Sequence, residues 1–129
     1  MANLQLQNAL AQVRERIASY KESKLPVEEA TKLTLINPVL RALGGAAENP
    51  TDVQLEFRRK GGTPVDYALL ALREPKIFIE AKALGENLDN RKVAIQVLSY
   101  AADAGVQWVV LTDGDEWRLY NSQASVPFE

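Results

Sequence analysis

The chain contains no cysteine and no histidine in 129 residues. The first absence excludes disulfides, thiolate nucleophiles and thiolate metal ligands. The second excludes Ser-His-Asp and Cys-His catalysis and any imidazole-ligated zinc. No apolar run approaches the roughly 18 residues of a membrane span, and the N-terminus lacks the short apolar core of a secretory signal. No membrane partner is therefore expected, and a cytoplasmic location is the default. A basic excess is missing too: Lys and Arg total 15 against 17 Asp and Glu, a net charge of −2, which disfavours capture of nucleic acid by bulk attraction. Any chemistry must rest on carboxylates, lysines, hydroxyls, backbone groups or a metal held through oxygen.

What is present is an ordinary globular composition, 47% apolar and 25% charged, at a length suited to one domain. The charge is uneven. Beyond residue 92 the only basic residue is Arg118, against Asp103, Asp113, Asp115, Glu116 and Glu129, whereas Arg58, Arg59 and Lys60 form a basic run earlier in the chain. That run reads as a solvated strand end or as a phosphate contact.

Leu6, Leu10, Val13, Ile17 and Tyr20 recur at spacings of four and three, one apolar stripe on an N-terminal helix. Pro26 suits the first turn of a second helix, Glu28 and Glu29 suit its positive end, and Gly44-Gly45 stops it. Leu33, Ile36, Val39, Leu40 and Leu43 make its expected buried face, and Pro38 predicts a kink near Leu35. The period then drops to two across Val53, Leu55 and Phe57. Residues 65–72 and 76–84 are further strands, joined as a hairpin around Arg73-Glu74-Pro75. A helix over 91–103 stops at Gly105, and strands over 107–112 and 116–121 flank the Asp113-Gly114 turn. The order α-α-β-β-β-α-β-β predicts an α/β fold of the α+β kind, a mixed sheet flanked by helices. The hairpin feeds a crossover helix into a parallel strand.

Within the third strand, Glu80 and Lys82 interrupt an apolar run and project from one face. If the hairpin closes symmetrically about Glu74, Asp66 faces Lys82 and Ala68 faces Glu80. Asp66 and Glu80 are then diagonal neighbours able to share a cation. Two adjacent carboxylates need a compensating charge, and an oxygen-only site favours Mg²⁺ or Mn²⁺. The Ala81 backbone carbonyl is a further candidate ligand. Lys82 beside such a metal suits orientation of an attacking water and stabilisation of phosphorane charge. The same charges also fit the solvated face of an alternating strand. Trp108 and Trp117 read as core or interface aromatics.

Val65-Asp66 followed by Glu80-Ala81-Lys82 resembles the PD-(D/E)xK nuclease signature, with Val in the Pro position. Glu28-Glu29-Ala30-Thr31, Leu35-Ile36-Asn37-Pro38-Val39-Leu40, Leu43-Gly44, Asn49-Pro50, Val109-Val110-Leu111-Thr112-Asp113-Gly114 and Trp117-Arg118-Leu119-Tyr120-Asn121 extend the likeness. The ordered series resembles the N-terminal nuclease domain of type I restriction enzyme HsdR subunits and related predicted restriction endonucleases. Gly45 departs from the aromatic residue that relatives usually carry there.

The resemblance implies a restriction-endonuclease-like core over 25–122, within a single domain spanning 1–129 that has an N-terminal helix over 1–24 and a tail over 123–129. It also implies metal-dependent cleavage of double-stranded DNA. Asp66 and Glu80 would bind metal, Lys82 would be catalytic, and Glu28, three before Thr31, would complete the site in preference to Glu29. Gln96 and Tyr100 are similar to a QxxxY element, which would put Gln96 near the metal and Tyr100 behind it; a solvated helix face accounts for them equally. The expected partners are DNA, a helicase or translocase, a specificity subunit and a second copy of the chain. The alternative is a non-catalytic DNA-binding or assembly module of a larger restriction complex that keeps the nuclease fold. Both a stand-alone module and a piece of a longer protein fit.

Overall fold

Two helical segments and a sheet meet where proline interrupts a helix. The structure, a computed structural model, describes residues 2–58 and 64–124. Arg59 and Lys60 of the basic run, Gly61-Gly62 and residues 125–129 of the tail lie outside the described residues. Helix α1 (Ala2–Glu22) is followed by α2 (Glu28–Thr31), a π-helical turn (Lys32–Ile36) and α3 (Asn37–Ala42). Pro38 has no N–H to offer the carbonyl of Thr34, four residues back. The Arg16 guanidinium of α1 donates to that carbonyl instead, at 2.8 Å, and the Tyr20 and Thr34 hydroxyls are 3.0 Å apart. The expected kink is thus a π turn, in which the Asn37 N–H donates to the Lys32 carbonyl.

The π turn changes which residues face inward, because it takes an extra residue into one turn. Thr31 and Leu35 are buried, whereas Leu33 and Leu43, expected on the inner face, are 68% and 62% exposed. Val13, Leu35, Val39 and Leu84 form one core cluster, flanked by Leu6, Ile17 and Tyr20 of the α1 stripe. Leu10 of that stripe remains 42% exposed.

Five strands, β1 (Val53–Phe57), β2 (Val65–Ala71), β3 (Glu74–Ala81), β4 (Trp108–Thr112) and β5 (Trp117–Asn121), lie side by side in chain order. Only β3 and β4 are parallel, and α4 (Arg91–Ala104) makes the crossover between them. Asn90 caps α4 by accepting from the Lys92 N–H, and Gly105 at φ 76° ends it. Val97, Leu98 and Ala101 of α4 pack on Ala68, Phe78 and Val109. On the opposite face Ile36 and Leu40 pack on Val53, Tyr67 and Ile79. The sheet is therefore sandwiched between α4 and the π-kinked helix, and the expected α+β architecture is present.

The hairpin closes differently from the symmetric expectation. Its turn is Leu72-Arg73, with φ of 54° and 68°, between the paired residues Ala71 and Glu74. Such a two-residue turn with positive φ at both positions normally selects Asn or Gly, so nothing in Leu-Arg announces it. Pro75 lies inside β3, next to the register shift at Leu69/Leu70, where a missing N–H is tolerated. The pairs Tyr67–Ile79 and Ala68–Phe78 carry Asp66 opposite Glu80. The expected pairings of Asp66 with Lys82 and of Ala68 with Glu80 are both displaced by two residues. An even slip preserves side-chain alternation, and it brings the two carboxylates from diagonal to opposed positions. β3 also ends at Ala81 rather than running to Leu84, and just beyond it the Lys82 N–H donates to the Thr112 carbonyl at 2.8 Å.

Gly114, in the β4–β5 turn, sits at φ 90° against the π-kinked helix, where an added Cβ would lie 2.7 Å from Leu35 Cβ. Gly114→Ala should therefore lose about 3 kcal/mol of stability by combining an unfavourable φ with overpacking. Urea denaturation of the two proteins measures it; a difference below about 1 kcal/mol would show that the turn relaxes freely.

Candidate active site

Asp66 stands at the beginning of β2, where the sheet changes sides. Glu56, on β1, has φ 49°, and beyond it Phe57 packs with Val65 and Phe78 under α4, although Val53 packs on the opposite face. The intervening acids turn toward the π-kinked helix. Lys32 Nζ lies 2.7 Å from Asp66 Oδ1 and 3.7 Å from Glu56 Oε1, and 3.1 Å from Glu29 Oε1 on its own helix. The Asp66 and Lys32 side chains are only 12% and 13% exposed. The other Asp66 oxygen accepts the Ala81 N–H at 2.7 Å. Burial opposes the charge on Lys32, but the hydrogen bonds to Asp66 and Glu29 outweigh it and hold the ammonium above its ordinary range.

Glu80 approaches Asp66 from the α4 side and hydrogen-bonds its carboxyl; burial first, and then the Asp66 charge, push Glu80 up to about 8. Lys82 lowers it in part. Glu28 is half-buried, and burial together with the Asp66 charge raises it above its usual value, while Lys32 and Lys82 oppose the rise. Glu29 by contrast is 81% exposed and serves Lys32. Glu80 shares a cavity with Pro64, Val65, Gln96, Val97 and Tyr100. Gln96 thus stands beside the carboxylate pair, and the Tyr100 ring stacks behind it on Phe78 at 5.4 Å. Lys82 lines an adjoining cavity with Glu86, Asn87, Asn90 and Leu111.

Two side chains fix the segment that leaves Lys82. Buried Thr31 donates to the Val27 carbonyl and accepts the Leu84 N–H, each at 3.1 Å. Asp113, 7% exposed, accepts the Gly85 N–H at 3.1 Å while also accepting from Asp115 and Glu116. Sequence alone marks Asp113 as a turn residue and gives Lys32 no role at all. Trp117 packs among the core clusters, and Trp108 is 37% exposed. Arg58 is exposed at the end of β1.

No three acidic side chains among the described residues converge in metal-ligating geometry. The Asp66–Glu80 pair nevertheless suits a divalent cation: two opposed carboxylates share a partly buried site, and the single ammonium that touches them sits on Asp66 alone. No helix among the described residues is long and apolar enough to cross a membrane.

A five-stranded mixed sheet between helices, carrying an acidic pair and a lysine where its central strands end, defines a restriction-endonuclease-like α+β core. Residues 53–126, more than half the chain, match the family described as type I restriction enzyme R protein N terminus, and the chain belongs to that family. No curated protein and no solved structure is significantly similar to it. The matched stretch includes Asp66, Glu80, Lys82 and Gln96; Glu28 and Lys32 precede it and join the site through the fold.

Glu80 gives the metal-free site a pH signature. A carboxyl raised in the folded state holds its proton better there than in the unfolded chain, so its contribution is full below the unfolded value, near 4.5, and is lost as pH rises toward about 8. In EDTA, urea denaturation should show stability falling by about 1–3 kcal/mol between pH 5 and 8, and Glu80→Gln should flatten the decline. An equal slope in the variant would assign the effect elsewhere.

Proposed function

We propose that this domain hydrolyses phosphodiester bonds in double-stranded DNA with the help of Mg²⁺ or Mn²⁺, as a restriction-type endonuclease. The observation that carries the reading is the opposition of Asp66 and Glu80 with Lys82 two residues further on. Asp66, Glu80 and the Ala81 carbonyl would hold the ion. When bound, a divalent cation supplies a Lewis acid that neutralises charge on a phosphate oxygen and favours ionisation of water.

The chain's own residues divide the remaining work. Lys82 places an ammonium beside the carboxylate pair, where it orients the attacking water and offsets negative charge accumulating on the phosphorus-bound oxygens. Glu28, which interacts electrostatically with Lys82, is a positioning residue that holds the ammonium toward the site. Thr31 and Asp113 anchor the backbone just beyond Lys82, limiting how far its side chain can swing. Gln96, at the wall of the Glu80 cavity, offers amide donors to the DNA backbone. Exposed Arg58 is a second candidate phosphate contact. A translocating or specificity subunit would bring DNA to a domain whose net charge is −2, and a second copy would cut the other strand. On this reading the protein works in the cytoplasm, with the DNA.

The low positive charge favours a second reading, a module that keeps the fold for binding or assembly. Incubation of supercoiled plasmid with Mg²⁺, Mn²⁺ or EDTA separates the two. Metal-dependent nicking should be reduced at least about 100-fold in Lys82→Ala; intact plasmid throughout, with folded protein, would favour the second reading.

Asp66→Asn keeps an acceptor for the Ala81 N–H and removes the charge, so it tests metal binding without dismantling the strand pair. Mn²⁺ at ten times its Kd should stabilise the original chain by about 1.4 kcal/mol and leave Asp66→Asn unchanged. Equal stabilisation of both would place the ion elsewhere.

A further inference from the structure

We propose that Lys32 is a built-in counter-ion that occupies Asp66 while the domain is metal-free and must leave it when a divalent cation binds, so that a competition within the chain sets the metal affinity. The inference rests on the metal reading above. Asp66 has one oxygen committed to the Ala81 N–H; the other is the one open to a cation, and Lys32 Nζ holds it at 2.7 Å. A divalent ion at that oxygen would stand within a few ångströms of the ammonium, and two like charges so close in a half-buried site repel strongly.

Lys32 also has somewhere to go. Glu29 Oε1 is 3.1 Å and Glu56 Oε1 3.7 Å from Nζ, and both of these carboxylates are largely exposed, at 81% and 62%. Release from Asp66 therefore leaves the ammonium paired and partly hydrated rather than stranded. The backbone supports the arrangement from both sides: the π turn begins at Lys32, and the positive φ of Glu56 turns that acid to the same side of the sheet. Both bear on where Lys32 and its partners sit.

Two variants with opposite expected effects test the proposal. Lys32→Met removes the competitor. Lys32→Arg replaces a point charge by a planar fork that grips a carboxylate through two bonds. Titration calorimetry of the full 129-residue chain with Mn²⁺ alone, in the absence of DNA, reads the dissociation constants directly. Lys32→Met should bind Mn²⁺ about tenfold more tightly than the original chain, and Lys32→Arg about threefold or more weakly.

A merely structural Lys32 predicts the reverse for Lys32→Met, because a loosened Asp66 would bind metal less well. Unchanged or weaker binding by Lys32→Met, in a protein whose circular dichroism is intact, overturns the inference while leaving the metal reading standing. If Lys32→Met does not fold, Lys32→Arg decides: affinity equal to or above that of the original chain overturns the proposal. Failure of the original chain and of both variants to bind Mn²⁺ overturns the metal reading, and the inference falls with it.

Discussion

The site depends on how one carboxylate is held. Asp66 presents one oxygen to the backbone of β3 and the other to a lysine of the π-kinked helix. It therefore ties the two central antiparallel strands together at their functional end and ties that end to the helical layer. The arrangement is costly to disturb from either side. Removing one partner of a mostly buried ion pair leaves the other charge uncompensated, typically at about 3–5 kcal/mol. The same pair is poor evidence for net stability, since desolvation offsets much of the attraction. What it provides is position: Lys32 is the ammonium in contact with Asp66, while Lys82 offsets part of the charge on the nearby Glu80.

That position is inherited from a chain of local necessities starting with Pro38. A proline within the helix leaves the Thr34 carbonyl without its usual donor, and Arg16 of α1 supplies one. The helix absorbs the interruption as a π turn, which rotates Thr31 and Leu35 inward. Thr31 then becomes the acceptor for Leu84, fixing the segment after Lys82. Leu35 becomes the surface against which only a glycine fits at position 114. The N-terminal helix thus contributes to the site without touching it, by satisfying one backbone oxygen.

Much of this was legible in the residues. The apolar periods, the caps around α4 and the single parallel crossover all follow from patterns strong enough to survive tertiary packing. The acidic pair and its lysine were legible as well, because charges inside an apolar strand are conspicuous. The hairpin register was not. A Leu-Arg turn with positive φ at both residues carries no glycine or asparagine to mark it, and Pro75 looks like a turn residue while lying in a strand. The observed closure differs from the symmetric one by an even number of residues, so the alternation along β3 is kept, while the partners change and Asp66 turns toward the helical layer. Lys32 escaped notice for a different reason. A lysine near a helix N-terminus reads as surface decoration until the fold brings Asp66 and Glu56 across from other strands.

The distribution of charge bears on how an acidic chain could engage DNA. Around the site, among the described residues, Glu28, Glu29, Glu56, Asp66 and Glu80 face Lys32 and Lys82. Such a cluster repels a phosphate backbone until a cation is present, and attraction from the rest of the surface is weak at a net charge of −2. On the reading proposed here, DNA and metal are therefore coupled: the ion that completes the chemistry also removes the electrostatic barrier to the substrate. An internal lysine that holds Asp66 in the meantime keeps the carboxylates together at lower cost than leaving them bare. The domain then favours phosphodiesters only when metal is bound and DNA is delivered to it, which is the behaviour suited to a nuclease module whose cutting must be contained.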